Sequence, residues 1–262
     1  MLSALRHEWT RLRTALSGLD SQTLFVLTFA AFVVVLQYIL GSRSLFYEEL
    51  ALYFPREWRP LASWGWWFSM KGILGFVLPI IALRAFYGRS AEEMGLGLGN
   101  WRLASLIAGL YLPLVLVATW ILSDSSAFQE QYPHLAGAKR DWTVFLMYEL
   151  LFLFYWFGWE YLWRGFVIFG TMHTLGLYSI FVQAIPFAAL HVDKPWPEAL
   201  LSVVGGIALG ALVWRCRSFW IAVPIHAAQM MLLDFWCTLR IRTGVSGVGL
   251  DAFLDLLGRL GT

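Results

Sequence analysis

Charged residues are scarce in this chain: Asp, Glu, Lys and Arg together make up 14% of its 262 positions, where an ordinary soluble domain carries roughly a quarter. With 59% of the residues hydrophobic, that shortage points to lipid rather than water as the solvent. A net charge of only +2 supplies no basic patch and excludes nucleic acid as a partner. Cysteine is nearly absent. Cys216 and Cys237 lie at the edges of two apolar runs without metal-ligand spacing, so a disulfide framework is excluded and both read as packing residues. There is no Gly-x-Ser-x-Gly elbow, His-Glu-x-x-His helix or phosphate-cradling glycine loop, which argues against serine hydrolases, common zincins and nucleotide-dependent enzymes. A signal-peptide pattern is also missing, because Arg6, Arg11 and Arg13 are followed by polar residues before any long apolar run begins.

Long apolar runs are what the chain has in quantity. A hydrocarbon core of about 30 Å requires about 20 mostly apolar residues at a rise of 1.5 Å each. Seven runs approach that length: Thr23–Gly41, Trp64–Phe86, Leu103–Ser123, Val144–Gly170, Leu175–His191, Pro197–Cys216 and Phe219–Leu239. The fold class is therefore all-α, a polytopic transmembrane helical bundle with about seven to eight spans, the eighth arising if the fourth run breaks near Gly158. Residues 1–22 form an amphipathic basic segment suited to the membrane surface. Residues 23–142 carry the N-terminal transmembrane helices, residues 143–240 a helical core with most of the polar groups, and residues 241–262 a C-terminal tail. Fifteen Trp, many near span ends, suit an interfacial belt. Gly206 and Gly210 form a Gly-x-x-x-Gly step that permits close helix contact. The basic residues divide almost evenly between the two sides, so the orientation stays open.

An ionisable group inside a span costs about 2.5–3.5 kcal/mol on insertion scales, so each needs a partner or a function. Lys71 lies in the second run, Glu149, Glu160 and Arg164 in the fourth, His191 at the end of the fifth, and His226 and Asp234 in the last. Glu160 and Arg164 are four apart on one helical face and should pair. Lys71 and Glu149 are candidates for a structural pair between helices. If the chain turns near Thr174, Glu160 lies on the order of 18–20 Å from that turn and His191 about 24 Å, while His226 lies about 10–14 Å in from the same side. Tilt could then bring a carboxylate and two imidazoles from three helices into one polar cavity. Such a cluster can activate water and stabilise an oxyanion. It can equally hold Zn²⁺ with an open position, through Glu160, His191 and His226. Spacing leaves both open.

Read in order, Trp159-Glu160-Tyr161-Leu162-Trp163-Arg164-Gly165, then Phe187-Ala188-Ala189-Leu190-His191, then His226 resemble the CPBP family of intramembrane proteases, which comprises CAAX-processing endopeptidases and bacteriocin-processing or self-immunity proteins. The resemblance covers about Val144 to Leu239. Family members look like Glu-Glu-x-x-x-Arg, Phe-x-x-x-His and His-x-x-x-Asn on successive segments. The likeness implies that Glu160, Arg164, Phe187, His191 and His226 occupy motif positions, with Glu160 as general base, the two His positioning water or stabilising the oxyanion, and Arg164 holding Glu160. Trp159 stands where the family has its first Glu, and Met230 where it has the closing Asn. Three compensations are conceivable: local unwinding near Gly158 that turns Glu160 inward, a carboxylate from Glu198, or loss of proteolysis. Gln229 could offer the missing amide; Asp234 is a weaker candidate. The resemblance implies an integral membrane endopeptidase of a prokaryotic plasma membrane acting on a membrane-anchored or lipidated peptide or protein, with Zn or no metal at the site. The alternatives are a non-catalytic membrane scaffold or immunity-type binding protein and, less well supported because no inverted repeat is visible, a transporter.

Overall fold

The computed structural model describes residues 2–259, whose regular structure is all helix with no strand. Met1 and residues 260–262, the outer ends of the expected N-terminal segment and C-terminal tail, lie outside the described residues. The helices are α1 (Leu2–Ser17), α2 (Ser21–Leu40), α3 (Arg59–Tyr87), α4 (Trp101–Leu122), α5 (Ser126–Gln131), α6 (Trp142–Leu175), α7 (Tyr178–Ala189), α8 (Trp196–Cys216), α9 (Ala222–Thr243) and α10 (Leu250–Gly258). Short helical turns over Arg43–Leu45, Phe46–Leu50 and Ala51–Tyr53 continue the chain beyond α2.

All seven apolar runs are helices. Five helical stretches are long and apolar enough to cross a membrane: Ser21–Tyr53, Arg59–Tyr87, Trp101–Leu122, Trp142–Leu175 and Trp196–Cys216. The other two depart for different reasons. α7 has only 12 residues, about 18 Å of helix, because the chain leaves the helix at Leu190. α9 is long enough but carries Asp234, Arg240 and Arg242. The protein is an integral membrane helical bundle.

Helix boundaries follow capping chemistry. Asp20 accepts the Thr23 N–H at 2.7 Å to open α2, and Asp141 accepts the Thr143 and Val144 N–H groups to open α6. Gly88 closes α3 in the left-handed conformation, at φ 62°. α1 buries none of its residues; Leu2, Leu5, Trp9, Leu12 and Leu16 form an exposed apolar stripe.

The bundle is organised around α6, which packs along α3. Glycines set that approach: a Cβ on Gly75 would sit 2.5 Å from the Gly158 carbonyl oxygen, and one on Gly158 would run into the Lys71 carbonyl oxygen. Gly158 is thus a helix-crossing residue rather than a point of unwinding. Gly206 and Gly210 of α8 face Phe187 and Gln183 of α7, and Gln183 Nε2 donates to the Gly206 carbonyl at 2.9 Å. Cys216 and Cys237 are buried free thiols.

The pairing expected of Lys71 and Glu149 does not form. Lys71 lies with its ammonium 3.7 Å from the centre of the Tyr38 ring, a cation–π contact that needs no acid. Glu149 instead faces Asp234 of α9, a second buried carboxyl.

Candidate active site

The site is built where α6 changes its winding. Beyond Glu160 the backbone widens into a π-helical turn, Tyr161–Val167, every residue of which is buried. A π turn carries an additional residue and shifts the direction in which side chains leave the helix. Across it, Arg164 Nη1 donates to Glu160 Oε1 at 3.0 Å, both side chains fully buried. The same oxygen accepts from Nδ1 of His226, on α9, at 2.6 Å. The His226 ring rests against Trp156, their centres 4.3 Å apart.

Phe187 of α7 joins this pair to the second histidine. Its ring lies 3.9 Å from the Arg164 guanidinium carbon and 4.5 Å from the His191 ring. Its backbone carbonyl accepts from His191 Nδ1 at 2.7 Å. A carbonyl can only accept, so Nδ1 of His191 carries a proton and, in the neutral ring, Nε2 holds the lone pair. His226 is held the same way by the Glu160 carboxylate. Each imidazole is therefore anchored through Nδ1, and neither contact uses Nε2.

His191, His226, Arg164 and Phe187 line one cavity of about 670 Å³ between α4, α7, α8 and α9. Its walls are largely apolar, with Ile107, Leu114 and Ala118 from α4 and Leu201, Val204 and Leu209 from α8. Glu160 is absent from the lining. It is completely buried behind Arg164 and His226. Glu198, in the first turn of α8, does line the cavity, as does Gln229, whose Oε1 accepts from Tyr111 Oη at 3.3 Å. Met230 also lines it and supplies no hydrogen-bonding group there. Trp159 is buried, with its ring 5.9 Å from His191 and 5.7 Å from Phe187. Asp234 lies away from the cavity, against Glu149.

A polar connection borders the cavity near Glu198. Tyr132 is fully buried, and its Oη lies 2.7 Å from each Glu198 carboxylate oxygen. His134 stacks on Trp64 with ring centres 5.2 Å apart, and Lys194 Nζ is 3.3 Å from His134 Nε2. Burial, reinforced by the charge of Lys194, pushes His134 down to about 3, so it is neutral and accepts from the lysine. Burial also lowers Lys194 from its ordinary value. Tyr132 had no signal in the sequence, since a lone Tyr in a polar connection is unremarkable until the connection folds onto α8.

Glu160 Oε1 is held by a guanidinium and an imidazole, while Oε2 is buried without a hydrogen-bond partner among the described residues. Among the described residues no group of three His, Cys, Asp or Glu side chains is arranged to hold an ion.

An α-helical membrane protein with two imidazoles and a buried Glu–Arg pair beside one cavity is the class that the fold and site define. Residues 141–232 match the model of the family described as Type II CAAX prenyl endopeptidase Rce1-like, which supports assignment of the chain to the CPBP/CAAX protease family. The match runs from the start of α6 into α9 and takes in Glu160, Arg164, Phe187, His191, Glu198 and His226. The comparisons with curated proteins and with solved structures give no significant match.

Proposed function

We propose that the protein is an intramembrane endopeptidase that hydrolyses a peptide bond in a membrane-anchored or lipidated protein or peptide. The observation that carries this reading is the single cavity shared by His191 and His226, each anchored through Nδ1. In it, Nε2 of each ring orients the attacking water or, once protonated, donates to the developing oxyanion. Glu160 acts through His226, fixing its tautomer and orientation, and Arg164 holds Glu160. The apolar walls suit an aliphatic or prenyl chain next to the scissile bond, in keeping with the family's prenylated substrates.

Cleavage of a fluorogenic peptide bearing a prenylated cysteine near its C-terminus, by the full chain in lipid nanodiscs, tests the proposal. His191→Ala and His226→Gln are expected to lose about 100-fold or more in kcat with the melting temperature held. Variants that cleave as wild type does would remove both histidines from the mechanism.

A second reading is a non-catalytic scaffold or immunity-type binding protein. The complete burial of Glu160, gripped by both Arg164 and His226, favours it, because such a lock also suits a purely structural role. It predicts that the histidine variants lower the melting temperature and that the wild type cleaves nothing.

A further inference from the structure

Among the described residues lining the cavity, Glu198 is the only carboxylate. It lies in the first turn of α8, after Pro197, where the helix dipole favours a negative charge. Its side chain is positioned by Tyr132, a fully buried phenol that reaches both carboxylate oxygens at 2.7 Å. One hydroxyl has one proton and donates to one oxygen at a time. The other oxygen stays available to a water in the cavity. Tyr132 is itself fixed by ring contacts with Phe128 and His134 and by Lys194 beneath its face. A half-buried acid with a rigid support, opening on the same space as two anchored imidazoles, has the arrangement expected of a general base. Glu160, sealed from that space, does not.

We infer that Glu198 is the catalytic carboxylate of this site and that Tyr132 is its positioning residue; the inference rests on the endopeptidase reading. Glu198 removes a proton from water, and the hydroxyl oxygen bonds to the scissile carbonyl carbon while the carbonyl π pair moves onto oxygen. When the tetrahedral intermediate collapses, the C–N bond breaks and Glu198 returns its proton to the departing nitrogen. The products are a carboxylic acid and an amine.

The nanodisc assay with the prenylated fluorogenic peptide tests this. Glu198→Gln keeps the shape and can still accept from Tyr132, so it is expected to lower kcat by about 100-fold or more while KM and melting temperature stay near wild type. Glu198→Ala with added formate should regain part of the lost turnover, because formate supplies the missing carboxylate; a structural role would not respond. Tyr132→Phe should shift the acidic limb of the kcat profile. A Glu198→Gln enzyme within about threefold of wild type, or a Glu198→Ala enzyme that is inactive and not rescued, overturns the assignment. If His191→Ala is inactive in the same series, the endopeptidase reading survives that failure. A wild type that leaves the probe intact overturns both.

Discussion

Glu160 binds two partners through one carboxylate oxygen, and each partner is nearly or fully removed from solvent. Replacing the acid by an amide would leave the Arg164 guanidinium buried without a countercharge. Breaking a buried pair on one side typically costs about 3–5 kcal/mol, so Glu160→Gln should be destabilised by about 3 kcal/mol in a denaturant titration in detergent. Unchanged unfolding would mean that the pair does not hold this part of the bundle. The Glu160–Arg164 contact was legible from their four-residue spacing, because neighbours on one helical face depend only on local geometry. The 2.6 Å contact of Glu160 with His226 was not, since 66 residues separate them and only helix packing sets the distance.

At the scale of elements, the crossing of α3 and α6 depends on Gly158, Gly72 and Gly75. Gly158→Ala would drive a methyl group into the Lys71 carbonyl oxygen, which is backbone and cannot rotate aside. Overpacking of this kind costs about 1–3 kcal/mol or more, and a lowered melting temperature is expected, whereas Gly205→Ala, which meets nothing, should be neutral. The start of α2 offers a pH-dependent test. The Thr23 backbone N–H, helped by His173, holds the Asp20 carboxyl at about 2, below its ordinary 3.8. The folded-state value is depressed, so the stabilisation is full above about 3.8 and is lost as the pH falls toward 2. Asp20→Ala should cost about 1 kcal/mol near neutral pH, with the difference from wild type shrinking across that acidic window. A constant difference would show that the cap is not ionic.

Across the whole molecule, Arg240 near the end of α9 ties the end of α4, in the middle of the sequence, to the segment that follows α9. It donates to Ser123 Oγ at 2.8 Å, Asp124 Oδ1 at 2.9 Å and the Gly247 carbonyl at 3.0 Å, and lies 3.8 Å from the centre of the Trp120 ring. Arg240→Ala should therefore lower stability by about 2–3 kcal/mol, less than for a fully buried pair because Asp124 keeps part of its hydration. Limited proteolysis is the complementary measurement, with faster cleavage expected around Val245–Gly249; equal rates would sink this role.

Membrane residence and the positions of the seven helical runs were determined by the sequence alone, because bilayer thickness converts directly into a count of apolar residues. The motif positions on α6, on and just after α7, and on α9 were equally visible in the order of residues. The winding of α6 through its π turn, the meeting of Glu149 with Asp234 in place of Lys71, the sealing of Glu160 and the opening of Glu198 onto the cavity were decided by tertiary structure. Each depends on how helices far apart in sequence rotate and cross, and close packing of the whole bundle sets those angles.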